Sequence, residues 1–203
     1  MITALIPTYN RGHMISNAIC SMLGQTYGSV AIIVYDDGST DNTEQVMKSY
    51  PAVTYIKSRD NKGIVHARNF LLSKVKTKYA CWQDSDDTSD ENRIKEQLLA
   101  IGDKVVCYTH WKNLLTGECK EQIAFASALF DVKRMPKFKL MARNGVTTNI
   151  AGEDAELFER IQENQKIVLK KPLYNINFHR ERVGNWKRTP SMNQDWYNRM
   201  LKT

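Results

Sequence analysis

Strand-like apolar runs alternate with amphipathic, helix-like stretches through the first half of this 203-residue chain, predicting an α/β domain on a mostly parallel sheet flanked by helices. Two more observations support that class. The acidic, polar and glycine-containing segments fall directly after the strand-like runs, where parallel α/β sheets bind ligands. Beyond Tyr108 the alternation loosens into runs around a Gly-containing turn, which adds a small antiparallel hairpin.

The elements follow in order. Residues 2–6 are the first apolar run, and 14–23 the amphipathic segment behind it. The same pairing recurs as strand 30–35 with helix 41–49, strand 53–57 with helix 64–75, and strand 79–83 with helix 92–101. Strand 104–110 closes the series. Hairpin strands are expected around 113–117 and over 123–130. A basic segment, 133–143, then leads to Gly145 and to Thr147, Thr148 and Asn149. Gly152, Glu153 and Asp154 open another helix, its first turn acidic as the helix dipole favours. Short strands at 167–169 and 173–178 end at His179, and an amphipathic run at 196–201 finishes the tail. No repeat, linker or low-complexity tract divides the chain, so 1–203 reads as one domain, large enough to bury its own core.

Composition narrows the class. With 42% hydrophobic and 25% charged residues the chain reads as an ordinary globular protein. It opens straight into a strand pattern without a secretory leader, and its longest apolar run, 124–130, is far below the roughly 20 residues of a membrane span. Peripheral attachment stays open. Cys20, Cys81, Cys107 and Cys119 form no C-x-x-C pair and no zinc spacing with the histidines, so they read as small apolar residues in a reducing, cytoplasmic compartment. The net charge of +7 is uneven: residues 1–132 hold 14 Lys+Arg against 15 Asp+Glu, and 133–203 hold 15 against 7. The C-terminal third therefore carries +8. Such a surface suits a diphosphate, an anionic lipid headgroup or nucleic acid, or serves solubility alone.

The densest chemical signal is Asp84-Ser85-Asp86-Asp87, directly after the last strand of the alternating series to carry a helix behind it. Carboxylates this close raise one another's pKa unless a cation holds them ionised, and hard oxygen ligands favour Mg²⁺ or Mn²⁺ over zinc. The competing reading is an acidic turn that caps the helix starting near Asp90. Elsewhere along the same edge, Tyr9 offers a stacking face for a nucleoside base and Asp37 a directional partner. One of Asp36 and Asp37 is expected to serve the turn at Gly38 instead. Lys62 and Arg68 suit phosphate or ribose oxygens.

Six motifs occur in one order: 4–11 (Ala-Leu-Ile-Pro-Thr-Tyr-Asn-Arg), 25–27 (Gln-Thr-Tyr), 34–41 (Val-Tyr-Asp-Asp-Gly-Ser-Thr-Asp), Asn61-Lys62-Gly63 with Ala67-Arg68-Asn69, Asp84 to Asp87, and Gly152-Glu153-Asp154. In these the chain resembles the family 2 glycosyltransferases of the GT-A fold, which use nucleotide-diphosphate sugars. The resemblance implies a Rossmann-like sheet, with residues 1–110 as the nucleotide-sugar-binding half and 111–203 as the acceptor-side half with the basic tail. It implies a donor site at Pro7, Tyr9, Asn10, Arg11, Asp37, Lys62, Arg68, Asp86 and Arg182, with Asp37 reading the base. A UDP-sugar is the expected donor. Mn²⁺ or Mg²⁺ would be held by Asp86 and Asp87, with Asp84 in support and His179 as a further ligand. Asp154, with Glu153 beside it, would be the general base of an inverting transfer.

Two departures fall on the acceptor side: no Gly-Gly-Phe loop lies between Phe130 and Gly152, and Leu157 or Phe158 replaces the usual Trp. The acceptor therefore stays open among a glycan, a lipid-linked glycan, a protein and a modified DNA base. Two other functions compete. A nucleotidyltransferase would need a glycine-rich basic loop after the first strand, which is absent. A non-catalytic nucleic-acid-binding module would rest on the basic tail alone.

Overall fold

The computed structural model describes residues 1–139, 141–143, 146–148 and 153–178. Its parallel half contains β1 (Ile2–Thr8), β2 (Val30–Asp36), β3 (Thr54–Lys57) and β4 (Tyr79–Trp82). β5 (Thr88–Ser89), β6 (Val106–Asn113), β7 (Cys119–Asp131) and β10 (Lys166–Ile176) complete an eight-stranded sheet in the order β3-β2-β1-β4-β7-β6-β10-β5. β8 (Met141–Arg143) and β9 (Val146–Thr148) pair separately. Five α-helices accompany the sheet among the described residues: α1 (Ile15–Leu23), α2 (Thr43–Met47), α3 (Ile64–Lys74), α4 (Arg93–Ile101) and α5 (Glu153–Arg160).

Period-two alternation divides the core between the two faces of the sheet. Ala4 and Ile6 of β1 and Cys81 of β4 join Ile15, Ile19 and Met22 of α1 and Ile94 and Ile101 of α4 on one side. Leu5 and Trp82 face the other way, against Val65 and Leu71 of α3 and Leu157 and Phe158 of α5. Covering helices on both faces are what near-continuous apolar strands such as β1, buried along its whole length, require.

The structure departs from the expected elements in three places. The strands expected at 167–169 and 173–178 are a single β10, whose register with β6 shifts between Leu169 and Pro172 and again between Pro172 and Tyr174. Pro172 has no N–H to give the ladder, so an irregularity absorbs it within one strand. The hairpin is larger than expected, because β6 and β7 are built into the main sheet and β7 pairs with β4. Third, β5 separates the acidic turn from α4 and pairs with β10. Asp84 to Asp87 therefore do not cap that helix. Asn92 is its N-cap residue, and Asp90 braces the approach, accepting the Asn92 N–H on its carboxylate at 2.9 Å and the Arg93 N–H on its carbonyl at 3.1 Å.

Gly38 shows how tightly the ligand edge is built. Its φ is +82°, and a Cβ there would lie 2.8 Å from the Asp60 carbonyl carbon and 2.9 Å from the Asn61 nitrogen. Gly38→Ala should lower stability by about 1–3 kcal/mol in urea unfolding, since both the left-handed backbone and the neighbouring loop oppose it.

Candidate active site

The chain steps outward from β1 to β2 and β3, then returns to lay β4 on the other side of β1. That reversal opens a crevice beyond the carboxyl ends of β1 and β4. Tyr9, Asn10 and Arg11 leave β1 there, and Asp84, Asp86 and Asp87 leave β4. Arg11 Nε comes within 3.8 Å of Asp86 Oδ2, which joins the two sets.

The acidic turn is held by groups from a distant strand. Asp84, Asp86 and Asp87 each bring a carboxylate oxygen within 4.8 Å of the others. Asp87 is 1% exposed and accepts the Asn177 N–H at 2.8 Å, while the Asp84 N–H donates to the Tyr174 hydroxyl at 3.1 Å. Gln83 spans the turn from beneath, its amide donating to the carbonyls of Asp84 at 3.1 Å and Asp87 at 3.0 Å. Three converging hard oxygens fit Mg²⁺ or Mn²⁺ and lack the nitrogen or sulfur that zinc selects. Burial of the Tyr174 phenol beside Asp87 and Asp84 pushes its pKa far up, so it stays a neutral hydroxyl.

The two aspartates after β2 divide their work. Asp36 accepts the Ser39 N–H at 2.7 Å and the Tyr55 hydroxyl at 2.5 Å, so it is the turn residue of the pair. Burial, then the bond to Asp36, drives the Tyr55 phenol well above its ordinary range. Asp37 accepts the N–H groups of Lys62 at 3.0 Å and Gly63 at 2.7 Å, one on each oxygen. Burial raises its carboxyl while those two donors pull it back. Each oxygen keeps a second lone pair for a donor on a ligand. Asn10, at φ +51°, locks this loop to β1: its N–H donates to Ser39 Oγ and its side-chain oxygen accepts the Thr40 N–H, both at 2.8 Å. Tyr9 is 42% exposed at the mouth, Lys62 is exposed, and Pro7 is buried in β1 opposite Tyr35.

Arg68 joins the remaining parts. It is 3% exposed, with its guanidinium 5.5 Å from the Trp82 ring centre and 5.2 Å from that of Phe138. From that slot it reaches Asp84 Oδ1 at 3.5 Å and forms an ion pair with Asp154 in the first turn of α5. Asn69 braces the slot, exchanging hydrogen bonds with the Phe138 backbone at 2.9 and 3.0 Å. Glu153 begins α5, whereas His179 and Arg182 lie outside the described residues. Residues 174 to 177 bring the chain to the acidic turn just before them.

Several contributors were not singled out from the sequence. Tyr174, Asn177 and Gln83 support the turn, and Gln25 fastens the end of α1 to α4 by donating to the Asp90 carbonyl at 2.7 Å and accepting the Ile94 N–H at 3.0 Å. Only Gln25 carried a signal, through its place in the Gln-Thr-Tyr motif.

The model of Glycosyl transferase family 2 matches residues 3–151. An uncharacterized glycosyltransferase of Rickettsia prowazekii is 36% identical over 98 residues, covering 48% of this chain and 31% of that protein. Glycosyltransferase GlyG of Streptococcus pneumoniae is 31% identical over 108 residues, covering 51% and 36%. The match thus spans about a third of the length of these two relatives. Among solved structures, S. aureus TarS 1-349 in complex with UDP-GlcNAc superposes with TM-score 0.70 at 18% identity, covering 97% of this chain and 63% of that one. Mannosyltransferase PcManGT from Pyrobaculum calidifontis, in complex with GDP-Man and Mn²⁺, gives 0.67 at 16%, covering 91% and 59%. These likenesses establish the GT-A arrangement of sheet and helices. No helix among the described residues is long and apolar enough to cross a membrane. A family model that covers most of the chain, on a sheet whose switch point gathers the same motifs, leads to one assignment: the chain belongs to glycosyl transferase family 2.

Proposed function

We propose that this chain is the catalytic domain of a metal-dependent, inverting glycosyltransferase that moves a sugar from a nucleoside-diphosphate donor to an acceptor hydroxyl. The observation that carries the reading is Arg68, which reaches both the acidic turn and Asp154 and so couples a cation site to a carboxylate suited to proton transfer. The complexes of structurally similar proteins with UDP-GlcNAc, and with GDP-Man and Mn²⁺, support a donor and ion of this kind.

In this reading Tyr9 covers one face of the base, and Asp37 accepts a hydrogen bond from its edge. Arg11, beside Asp86, lies where the diphosphate would run and offers charge-assisted donors to its oxygens. Asp84, Asp86 and Asp87 would hold Mg²⁺ or Mn²⁺, which supplies Lewis-acid neutralisation of the departing diphosphate. Asp154 accepts the acceptor's proton as the new bond to the anomeric carbon forms and the bond to the diphosphate oxygen breaks. Arg68 orients the Asp154 carboxylate through their ion pair. Glu153 is assigned to the same site by its place in the Gly152-Glu153-Asp154 motif, and His179 and Arg182 by their position after the last strand.

The test is a screen of UDP- and GDP-sugars without acceptor. Slow release of nucleoside diphosphate from one donor, dependent on Mn²⁺ or Mg²⁺ and stopped by EDTA, is expected. Release that persists in EDTA would remove the metal from the proposal, and no release or binding with any donor would remove the donor class.

A further inference from the structure

Arg93 is fully buried at the start of α4, yet none of its hydrogen-bond partners among the described residues is a carboxylate. Its Nε donates to Gln97 Oε1 at 3.1 Å, and Nη1 to Gln83 Oε1 at 3.2 Å and Ser89 Oγ at 2.7 Å. Nη2 donates to the carbonyls of Trp82 at 2.8 Å and Ser127 at 3.1 Å. A cation taken out of water among neutral groups is costly, and a core that needed only volume would be served by an apolar side chain. The use of this charge is read from where its bonds lead.

They lead to the back of the acidic turn. Gln83 receives Arg93 and Ser89 on its side-chain oxygen, at 3.2 and 2.6 Å, and passes its own N–H groups to the carbonyls of Asp84 and Asp87. With its oxygen held by two donors, the Gln83 amide cannot flip, so its NH₂ stays aimed at both ends of the turn. Arg93 also lies over the Tyr174 ring at 5.2 Å, and the hydroxyl of that ring accepts the Asp84 N–H. Both routes end on backbone atoms that fix the spacing of the carboxylates.

We infer that Arg93 is a positioning residue for cation binding, acting through Gln83 and Ser89 to hold Asp84, Asp86 and Asp87 at ligating distance. The inference rests on the metal reading of that turn. Its sign is opposite to that of a charge effect: a nearby cation repels Mn²⁺, so if charge alone mattered, removing it would tighten the site.

The experiment titrates the protein with Mn²⁺ alone, following free ion by electron paramagnetic resonance, and monitors folding by thermal melting. Arg93→Lys keeps the charge and loses the fork; Arg93→Met loses both; Gln83→Met and Ser89→Ala break the relay with Arg93 in place. The expected result is a rise of about 10- to 100-fold in the Mn²⁺ Kd for folded Arg93→Lys, Arg93→Met and Gln83→Met. Ser89→Ala should shift it in the same direction by less, and Arg93→Lys with Gln83→Met should be no worse than the weaker single variant. Unchanged Mn²⁺ affinity in folded variants, or tighter binding by Arg93→Met, overturns the inference. If the Arg93 variants do not fold, Gln83→Met and Ser89→Ala decide by the same criterion. A wild-type protein that binds no Mn²⁺ overturns the metal reading together with this inference, whereas binding that no variant alters overturns only this one.

Discussion

Asp154→Asn should retain the nucleotide donor and lose turnover on the order of 10²- to 10⁴-fold, because an amide of the same shape accepts no proton from the acceptor. The geometry makes this a sharp comparison. Asn keeps an oxygen toward Arg68, which is 3% exposed and also faces Asp84, so the guanidinium is not left without any acceptor. The measurements are kcat at saturating donor and the dissociation constant of UDP with Mn²⁺. Most of the rate surviving at saturating donor would take the role of base away from Asp154, and a parallel loss of nucleotide binding would point to collapse of the Arg68 slot instead.

Asp87→Asn should abolish the metal-dependent part of nucleoside-diphosphate binding and leave the fold in place. The side chain is 1% exposed and one oxygen is committed to the Asn177 N–H, which an Asn oxygen can still accept. Only the charge and the second hard oxygen are lost, and a divalent cation depends on both. Calorimetry of UDP binding with and without Mn²⁺ tests it. Equal affinity under all four conditions, in wild type and variant, would mean that the turn binds no ion that matters to the nucleotide.

The acidic turn was legible in the sequence because three carboxylates in four positions repel one another and mark a candidate cation site, whatever the fold. The sheet was legible for a different reason: each apolar run and its helix sit side by side in the chain, so local periodicity carries the alternation of β1 to β4 with their helices, while the order β3-β2-β1-β4 came from the structure. What supports the turn was not legible. Tyr174 and Asn177 meet Asp84 and Asp87 across 90 residues of sequence, and no local pattern encodes that meeting. The two-residue β5 is too short to show a period. Arg93 sits in an amphipathic helix where an arginine reads as solvated, and only packing reveals that it is buried. Arg68 read as a contact for phosphate or ribose, but its link to Asp154 depends on α5 packing against the α3 side of the sheet.

The register shift at Pro172 lets β10 run alongside β6 and still deliver Tyr174 and Asn177 to the acidic turn. During synthesis, the segment through β5 carries every aspartate of that turn well before β10 leaves the ribosome. Until then the Asp84 N–H has no Tyr174 hydroxyl to donate to, and the Asp87 carboxylate does not receive the Asn177 N–H. A nascent chain can therefore lay down β1 to β4 early and still hold no ordered acidic turn, since the hydrogen bonds that shape the turn span 90 residues of sequence and form only once β10 has emerged.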